Sequence, residues 1–148
     1  MIVKITGVKE IDRALKELER VQARKIIRRS MRTALKEMQQ KAVELAPIGV
    51  SRMLRGVQHV AGELRRNIKI RAAKIKRRGE IALAVRIGEG DFKGEQFYGS
   101  FPEYGTKFQA GQHFLLRAFE ATKDSVRDRT NELIRQDINE TLGWWHKI

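Results

Sequence analysis

Residues 63–88 read ELRRNIKIRAAKIKRRGEIALAVRIG, and this stretch decides the fold. It holds two segments in which every second residue is apolar, separated by the polar run KIKRRGE. Alternation with a period of two is typical of a strand with one buried face, and Gly79 can adopt the positive φ that a tight turn requires. The stretch therefore predicts a central β-hairpin, with antiparallel strands near 66–73 and 80–88. The alternating apolar residues are Ile68, Ile70 and Ala72, then Ile81, Leu83, Val85 and Ile87.

Two long helical regions flank this hairpin, over about 9–46 and 113–140. Apolar residues recur there every three or four positions, which is the period of an amphipathic helix. The phase slips near Ala23, so the first region is either one bent helix or two consecutive helices. It ends at Ala46-Pro47, because a residue before proline avoids the α region. The apolar positions are Ile11, Leu15, Leu18 and Val21, then Ile27, Met31, Ala34, Leu35, Met38, Ala42 and Leu45, and finally Leu115, Leu116, Phe119, Val126, Leu133 and Ile134.

The remaining segments complete an α+β fold in a single domain, residues 1–148. Residues 1–7 predict a short strand or an extended arm. Residues 48–62 predict a loop or insertion, with room for a short helical turn between residues 51 and 60, and residues 89–112 form a loop segment rich in glycine and aromatic residues. The architecture expected is two long helical regions packed on a small antiparallel β-sheet. Trp144 and Trp145 either cap the core or meet another subunit.

Charge is distributed unevenly along the chain, which has a net charge of +13. Residues 1–80 hold 22 basic and 8 acidic side chains, so this half alone carries +14. A basic half indicates an anionic partner, either a nucleic acid or an acidic protein surface, although a solvated charged face explains it equally well. Five basic residues lie opposite the apolar side of the first helical region and define a basic face: Arg24, Lys25, Arg28, Arg29 and Arg32.

No residues in the sequence suggest a catalytic, metal or cofactor site. The chain has no cysteine, and the three histidines, His59, His113 and His146, stand far apart without metal-ligand spacing. Nucleophile-elbow and phosphate-loop motifs are absent, as are the carboxylate cluster of a nuclease and any membrane-spanning stretch. We therefore expect a protein without enzymatic activity, cofactor, small-molecule substrate or membrane partner.

Aromatic residues cluster in the glycine-rich segment: Phe97, Tyr98, Phe101, Tyr104 and Phe108. They form either a satellite of the core beneath a loop or an anchor for a partner, since interface centres favour aromatic side chains. Among them, Glu103 can accept hydrogen bonds from backbone amides or pair with a basic neighbour. Gly105 suits a tight bend.

The run from Tyr98 to Asp124, YGSFPEYGTKFQAGQHFLLRAFEATKD, resembles the hallmark segment of a family of phage tail-component proteins. The matching features are Glu103-Tyr104-Gly105-Thr106 and Phe114-Leu115-Leu116-Arg117-Ala118. The opening GVKEIDRALKEL, Ala46-Pro47 and residues 62–68 are similar to the family's upstream order. The chain departs from the family with His113 in place of proline, Ala61 in place of threonine, and a longer gap at residues 48–60.

The resemblance implies a structural virion protein that completes tails or joins them to DNA-filled heads. Such a protein works as a homo-oligomeric ring beside the head–tail connector and tail-terminator proteins, near the duplex DNA of the channel. It is made in the host cytoplasm and ends in the neck or tail end. The alternative is a small basic protein that binds duplex DNA non-specifically. The family-matched interface or motif residues are Phe101, Glu103, Tyr104, Gly105, Thr106, Phe114, Leu115 and Ala118.

Overall fold

A computed structural model describes residues 20–49, 51–54, 57–73, 80–88 and 101–145. Two long helices, α1 (Arg20–Leu45) and α3 (Phe114–Trp145), pack on a small antiparallel hairpin, which confirms the α+β class. The shorter elements are β1 (Arg52–Leu54), β2 (Val57–His59), α2 (Glu63–Arg66), β3 (Ile68–Ala72), β4 (Leu83–Ile87), β5 (Gly105–Thr106) and β6 (Gln109–Ala110). The predictions for residues 1–19, Gly79, Phe97, Tyr98 and the side chains of Trp144 and Trp145 lie outside the described residues.

Helix α1 runs without interruption through Ala23, where the apolar phase slips. Val21, the last residue of the first apolar series, faces away from the core and is 62% exposed. The buried side of α1 instead follows the series that begins at Ile27. The helix ends at Leu45, as Ala46-Pro47 predicts. Arg65 binds two carbonyls at this end of the helix: its guanidinium donates to Glu44 O in the last turn at 3.2 Å, and to Ala46 O just past the helix at 2.8 Å.

Helix α3 lies antiparallel to α1. Ser30 near the start of α1 donates to Asp137 near the end of α3, whereas Glu37 further along α1 accepts from Ser125. The buried side of α3 includes the predicted Val126 and Ile134, while Leu115, Phe119 and Leu133 are half-buried against the core. The expectation that Leu116 is buried is wrong. It is 40% exposed, because the buried stripe passes through Phe114 and Ala118 instead.

Both helices bury residues spaced four apart, and many of these residues are small. Rows with this spacing form the ridges that interlock when helices pack, and small side chains let the helix axes approach. The two buried threonine hydroxyls satisfy themselves by donating one turn back, Thr122 to Ala118 O and Thr130 to Val126 O. The row of α1 is Ile26, Ser30, Ala34, Met38 and Ala42, continued by Ala46 just past the helix, and the row of α3 is Phe114, Ala118, Thr122, Val126, Thr130, Ile134 and Ile138.

The central hairpin forms where the sequence predicts it, with β3 and β4 antiparallel and Ile70 opposite Val85. The residues before the first strand, 63–66, form the short helix α2 after a left-handed Gly62 (φ 78°), so β3 begins at Ile68 rather than near residue 66. Ile68, Leu83 and Val85 are buried in the same core as Phe114. The hairpin therefore supplies one wall of the core that the two long helices share.

The segment after α1 differs from its prediction. The helical turn proposed within residues 51–60 is wrong: β1 and β2 pair antiparallel there, with Met53 opposite Gln58. The segment is closed at its base by two hydrogen bonds, from Gly62 N–H to Ile48 O at 2.7 Å and from Ala61 N–H to Ser51 Oγ at 3.0 Å. These two bonds bring the ends of the segment together, which is the arrangement that antiparallel pairing of β1 with β2 requires.

Candidate functional site

The loop from residue 101 to residue 113 carries most of the family motif. Residues 101–104 form a helical turn, and β5 and β6 then make a very short antiparallel hairpin. At its tip, the hydroxyl of Thr106 accepts a hydrogen bond from Phe108 N–H at 3.2 Å. The ammonium of Lys107 lies 6.0 Å from the centre of the Phe108 ring, within range of a cation–π contact. These contacts give the tip a defined shape.

Two glycines brace the base of this hairpin by a close backbone crossing. Gly105 adopts φ 84°, and a Cβ atom there would lie 2.6 Å from Gly111 N. A Cβ atom on Gly111 would lie 2.6 Å from Glu103 O. Backbone hydrogen bonds from Gln112 N–H to Pro102 O (2.7 Å) and from His113 N–H to Glu103 O (3.2 Å) close the crossing. Only glycine fits at positions 105 and 111 without moving the backbone.

The side chain of Glu103 caps helix α3. It is 4% exposed, and its two carboxylate oxygens accept hydrogen bonds from Leu115 N–H at 2.8 Å and Leu116 N–H at 3.2 Å. These amides have no partner within the helix, and a negative charge suits the positive end of the helix dipole. The motif glutamate is therefore a structural link between the loop and α3.

His113 stands immediately before α3, where proline is usual in the resembled family. Its φ is 47°, in the left-handed region, whereas the ring of proline holds φ near −65°. Its N–H also donates to Glu103 O, and proline has no such donor. This backbone thus accepts His113 and excludes proline, and the cap comes from Glu103.

The structure divides the family-matched residues between core and surface. Phe114 and Ala118 are fully buried, whereas Phe101 and Leu115 are half-buried. The exposed members are Tyr104, 76% exposed, and Thr106. Phe108 is 92% exposed. Its position in the aromatic cluster of the sequence did not indicate whether its ring is buried or exposed. The motif therefore holds one end of α3 and, beside it, displays two aromatic side chains.

Replacing Glu103 tests the cap. We expect Glu103→Ala to lower the free energy of unfolding by about 2 kcal/mol, because two amides lose their acceptor. Glu103→Gln keeps an acceptor oxygen and should lose roughly half as much. Urea denaturation followed by circular dichroism measures both. Glu120→Ala is the matched control, since Glu120 is an exposed carboxylate on the same helix. An effect of Glu103→Ala no larger than that of the control would contradict the cap.

The five residues of the basic face are all exposed on α1. One of them also joins the two helices: Arg29 donates through its Nε and one terminal nitrogen to the two carboxylate oxygens of Asp137, which also accepts from Ser30. This hydrogen bond and the charge of Asp137 raise the pKa of Arg29. Arg29 is therefore partly structural, and Arg24, Lys25, Arg28 and Arg32 are the members available to a partner.

The basic face continues into a groove between α1 and the central hairpin, with a volume of about 800 Å³. Arg32 and Lys36 of α1 line one side, and Lys69, Arg71 and Arg86 of the hairpin line the other. Of these cations only Arg32 belongs to the basic face defined from the sequence, and no local sequence pattern places residues 32 and 86 beside each other. The groove is the second candidate site of the molecule.

The described residues contain no group of three His, Asp or Glu side chains placed to hold a metal ion. None of the helices in the described ranges is long and apolar enough to cross a membrane. The family described as bacteriophage HK97 gp10-like tail components matches residues 9–105, well over half of the 148-residue chain, and the match ends inside the Glu-Tyr-Gly-Thr motif. Searches of curated proteins and of solved structures found no match.

Proposed function

This chain belongs to the HK97 gp10-like family of bacteriophage tail components, and from that membership we propose that it acts in the neck of the virion. There it completes tails or joins them to DNA-filled heads, as a ring of identical subunits between the head–tail connector and the tail-terminator proteins. The ring assembles in the host cytoplasm, and its role is structural rather than enzymatic. Because a tail component is by definition a part of the virion, the proposal adds only where in the virion the protein lies and which proteins it contacts.

The braced loop of residues 101–113 is the observation that carries this proposal. It holds Tyr104 and Phe108 exposed on a backbone that the Gly105–Gly111 crossing and the Glu103 cap keep in place. Large exposed aromatic side chains are favoured anchors at interface centres, and an ordered loop loses little entropy when it binds. The loop is therefore suited to bury its aromatic tip against a neighbouring virion protein.

Removing the exposed rings tests the proposal. We expect Tyr104→Ala and Phe108→Ala to leave the thermal unfolding temperature nearly unchanged, because surface substitutions usually shift stability by less than about 0.5 kcal/mol. In complementation of a phage that lacks the gene, infectious yield should fall at least about tenfold, since loss of an interface anchor costs about 2 kcal/mol. Electron microscopy should then show separate heads and tails.

Val21→Ala is the control for this experiment, because Val21 is also an exposed apolar residue but lies on α1. It should complement fully. A double Tyr104→Ala, Phe108→Ala variant that folds and gives the same particle yield as the unaltered protein would refute the proposed contact. Glu103 is unsuitable here, since its replacement is expected to destabilise the fold.

The exposed basic face supports a second candidate, non-specific binding of duplex DNA. Neutralising six or more phosphates makes affinity fall by roughly 10³ between low and physiological salt. Submicromolar binding near physiological salt, lost when Arg24 and Arg28 are changed to glutamate, would establish this candidate. A dissociation constant for DNA of about 10⁻⁴ M or weaker would instead indicate that the basic face contacts proteins.

A further inference from the structure

One edge of strand β3 is left uncovered by the strands in the described part of the chain. Just beyond each end of the paired residues, one more hydrogen bond links the two chains: Gly88 N–H donates to Asn67 O at 2.8 Å, and Ala73 N–H donates to Ala82 O at 2.9 Å. In an antiparallel pair these bonds connect every second residue. Residues 67, 69, 71 and 73 therefore direct their backbone groups towards β4.

The intervening residues direct their backbone N–H and C=O groups to the outer edge. Two of these carbonyls already accept bonds from side chains: Ile68 O from Gln39 Nε2 at 2.8 Å, and Ala72 O from the guanidinium of Arg86. Within the described residues, the edge groups of Ile70 and the N–H of Ala72 have no partner. An exposed strand edge of this kind is a template for another extended chain.

The groove that runs along this edge is strongly cationic. Among the described residues that line it there is no Asp or Glu, but five Arg or Lys side chains. Lys69 lies directly opposite Arg86 in the hairpin, and like charges at opposed positions destabilise a strand pair. An anionic occupant would offset this repulsion and pair with Lys36 and Lys69.

We propose that this groove binds an extended acidic segment of another protein, which adds to the edge of β3 as a further strand. Two of the cations lie at a spacing close to the side-chain repeat of such a chain. Side chains on one side of an extended strand repeat about every 6.8 Å, and Arg32 and Lys36 stand one helical turn apart, about 5.4 Å along the axis. The long side chains of these two α1 cations can span the difference and reach alternate carboxylates of the peptide, while its backbone pairs with Ile70 and Ala72.

A peptide fits this groove better than a nucleic acid does. The uncovered edge offers an acceptor, the carbonyl of Ile70, together with N–H donors. A peptide backbone satisfies both, whereas the phosphates of a nucleic acid use only the donors. This inference goes beyond the proposed place in the neck and is independent of it, since the binding is measured on the purified protein.

The probe is a capped, fluorescent octapeptide of alternating Glu and Val, titrated by anisotropy against the full chain. We expect binding that weakens at least about tenfold, or about 1.4 kcal/mol, when the peptide is fully N-methylated. That analogue keeps the charges and loses the backbone donors. Hydrogen exchange should slow at the amides of Ile70 and Ala72 when the unmethylated peptide is bound.

Two protein variants separate the backbone contribution from the charge contribution. Ala72→Pro removes an outward N–H and spares the ladder with β4, and proline is tolerated on an edge strand whose N–H faces solvent. It should weaken binding about fivefold, while its matched control, Ala72→Val, binds like the unaltered protein. The double variant Lys36→Glu, Lys69→Glu should abolish binding and still fold, since both side chains are exposed.

Three results would overturn the proposal. The first is equal binding of the N-methylated and unmethylated peptides, which would mean that charge attraction, without backbone pairing, accounts for the affinity. The second is tighter binding of a short DNA duplex than of the peptide, lost in the same double variant, which would make the groove a nucleic-acid site. The third is the absence of peptide binding at about 1 mM.

Discussion

A Gly105→Ala variant is expected to lose about 2–4 kcal/mol of stability, through two separate costs. A side chain at φ 84° is strained by about 1 kcal/mol, and crowding in a packed region costs about 1–3 kcal/mol. The crowding is severe here, because the new Cβ atom meets Gly111 N at 2.6 Å and Gln109 O at 2.7 Å. Both contacts are backbone atoms, so a side-chain rotation cannot relieve them. Urea denaturation of the purified variant measures the loss.

Gly143→Ala is the control, and we expect it to raise the free energy of unfolding rather than lower it. Gly143 lies within α3, and a Cβ atom added there would meet no neighbouring group within 4 Å. Alanine at such a position in a helix is expected to raise stability by about 0.5–1 kcal/mol. Equal effects of the two substitutions would show that the close crossing at Gly105 does not exist in solution.

The second large effect is expected at Phe114, the largest fully buried side chain of the core. Phe114→Ala should cost about 3–5 kcal/mol, from lost burial and from the cavity left between the helices and the hairpin. Because the free energy of unfolding of a small domain is only about 5–15 kcal/mol, a loss of this size should leave a measurable fraction of the variant unfolded at 37 °C. Phe114→Leu should cost less, since it fills most of the space.

Phe108→Ala is the matched control for Phe114→Ala, because it removes the same ring from the same motif region. Phe108 is 92% exposed, so its truncation should change the unfolding midpoint very little. Differential scanning calorimetry compares the two variants directly. Similar destabilisation by both would mean that the Phe108 ring is buried in the free protein, which would remove the basis of the proposed assembly contact.

The secondary structure was predictable where periodicity is strong. The alternation around Ile68 and Ile70 gave the hairpin, and Ala46-Pro47 gave the end of α1, because both signals are local. The buried side of α3 was predictable only in part. Thr122 and Thr130 belong to it, yet hydropathy assigns threonine to the surface. Their hydroxyls bond the preceding turn of the helix, which allows them to be buried between α1 and α3.

Contacts between distant residues were less accessible to sequence reasoning. Glu103 was expected to bond either backbone amides or a basic neighbour, and the sequence did not identify Leu115 and Leu116 as the donors. The cap of α1 by Arg65 and the link from Arg29 to Asp137 were not foreseen, because neither pairing leaves a local pattern. The groove depends on the same kind of contact, since it forms only when the hairpin docks beside α1.

The closed base of the segment that follows α1 has a consequence for evolution. Because Ile48 and Gly62 are hydrogen-bonded to each other at 2.7 Å, the chain leaves the domain and returns to nearly the same point. Lengthening such a segment is thermodynamically cheap, with each doubling of a loop costing only about 0.6 kcal/mol. Insertions and deletions can therefore accumulate there while both long helices keep their register. We expect this segment to vary in length among related proteins, and it is a natural place for an affinity tag that leaves the rest of the fold intact.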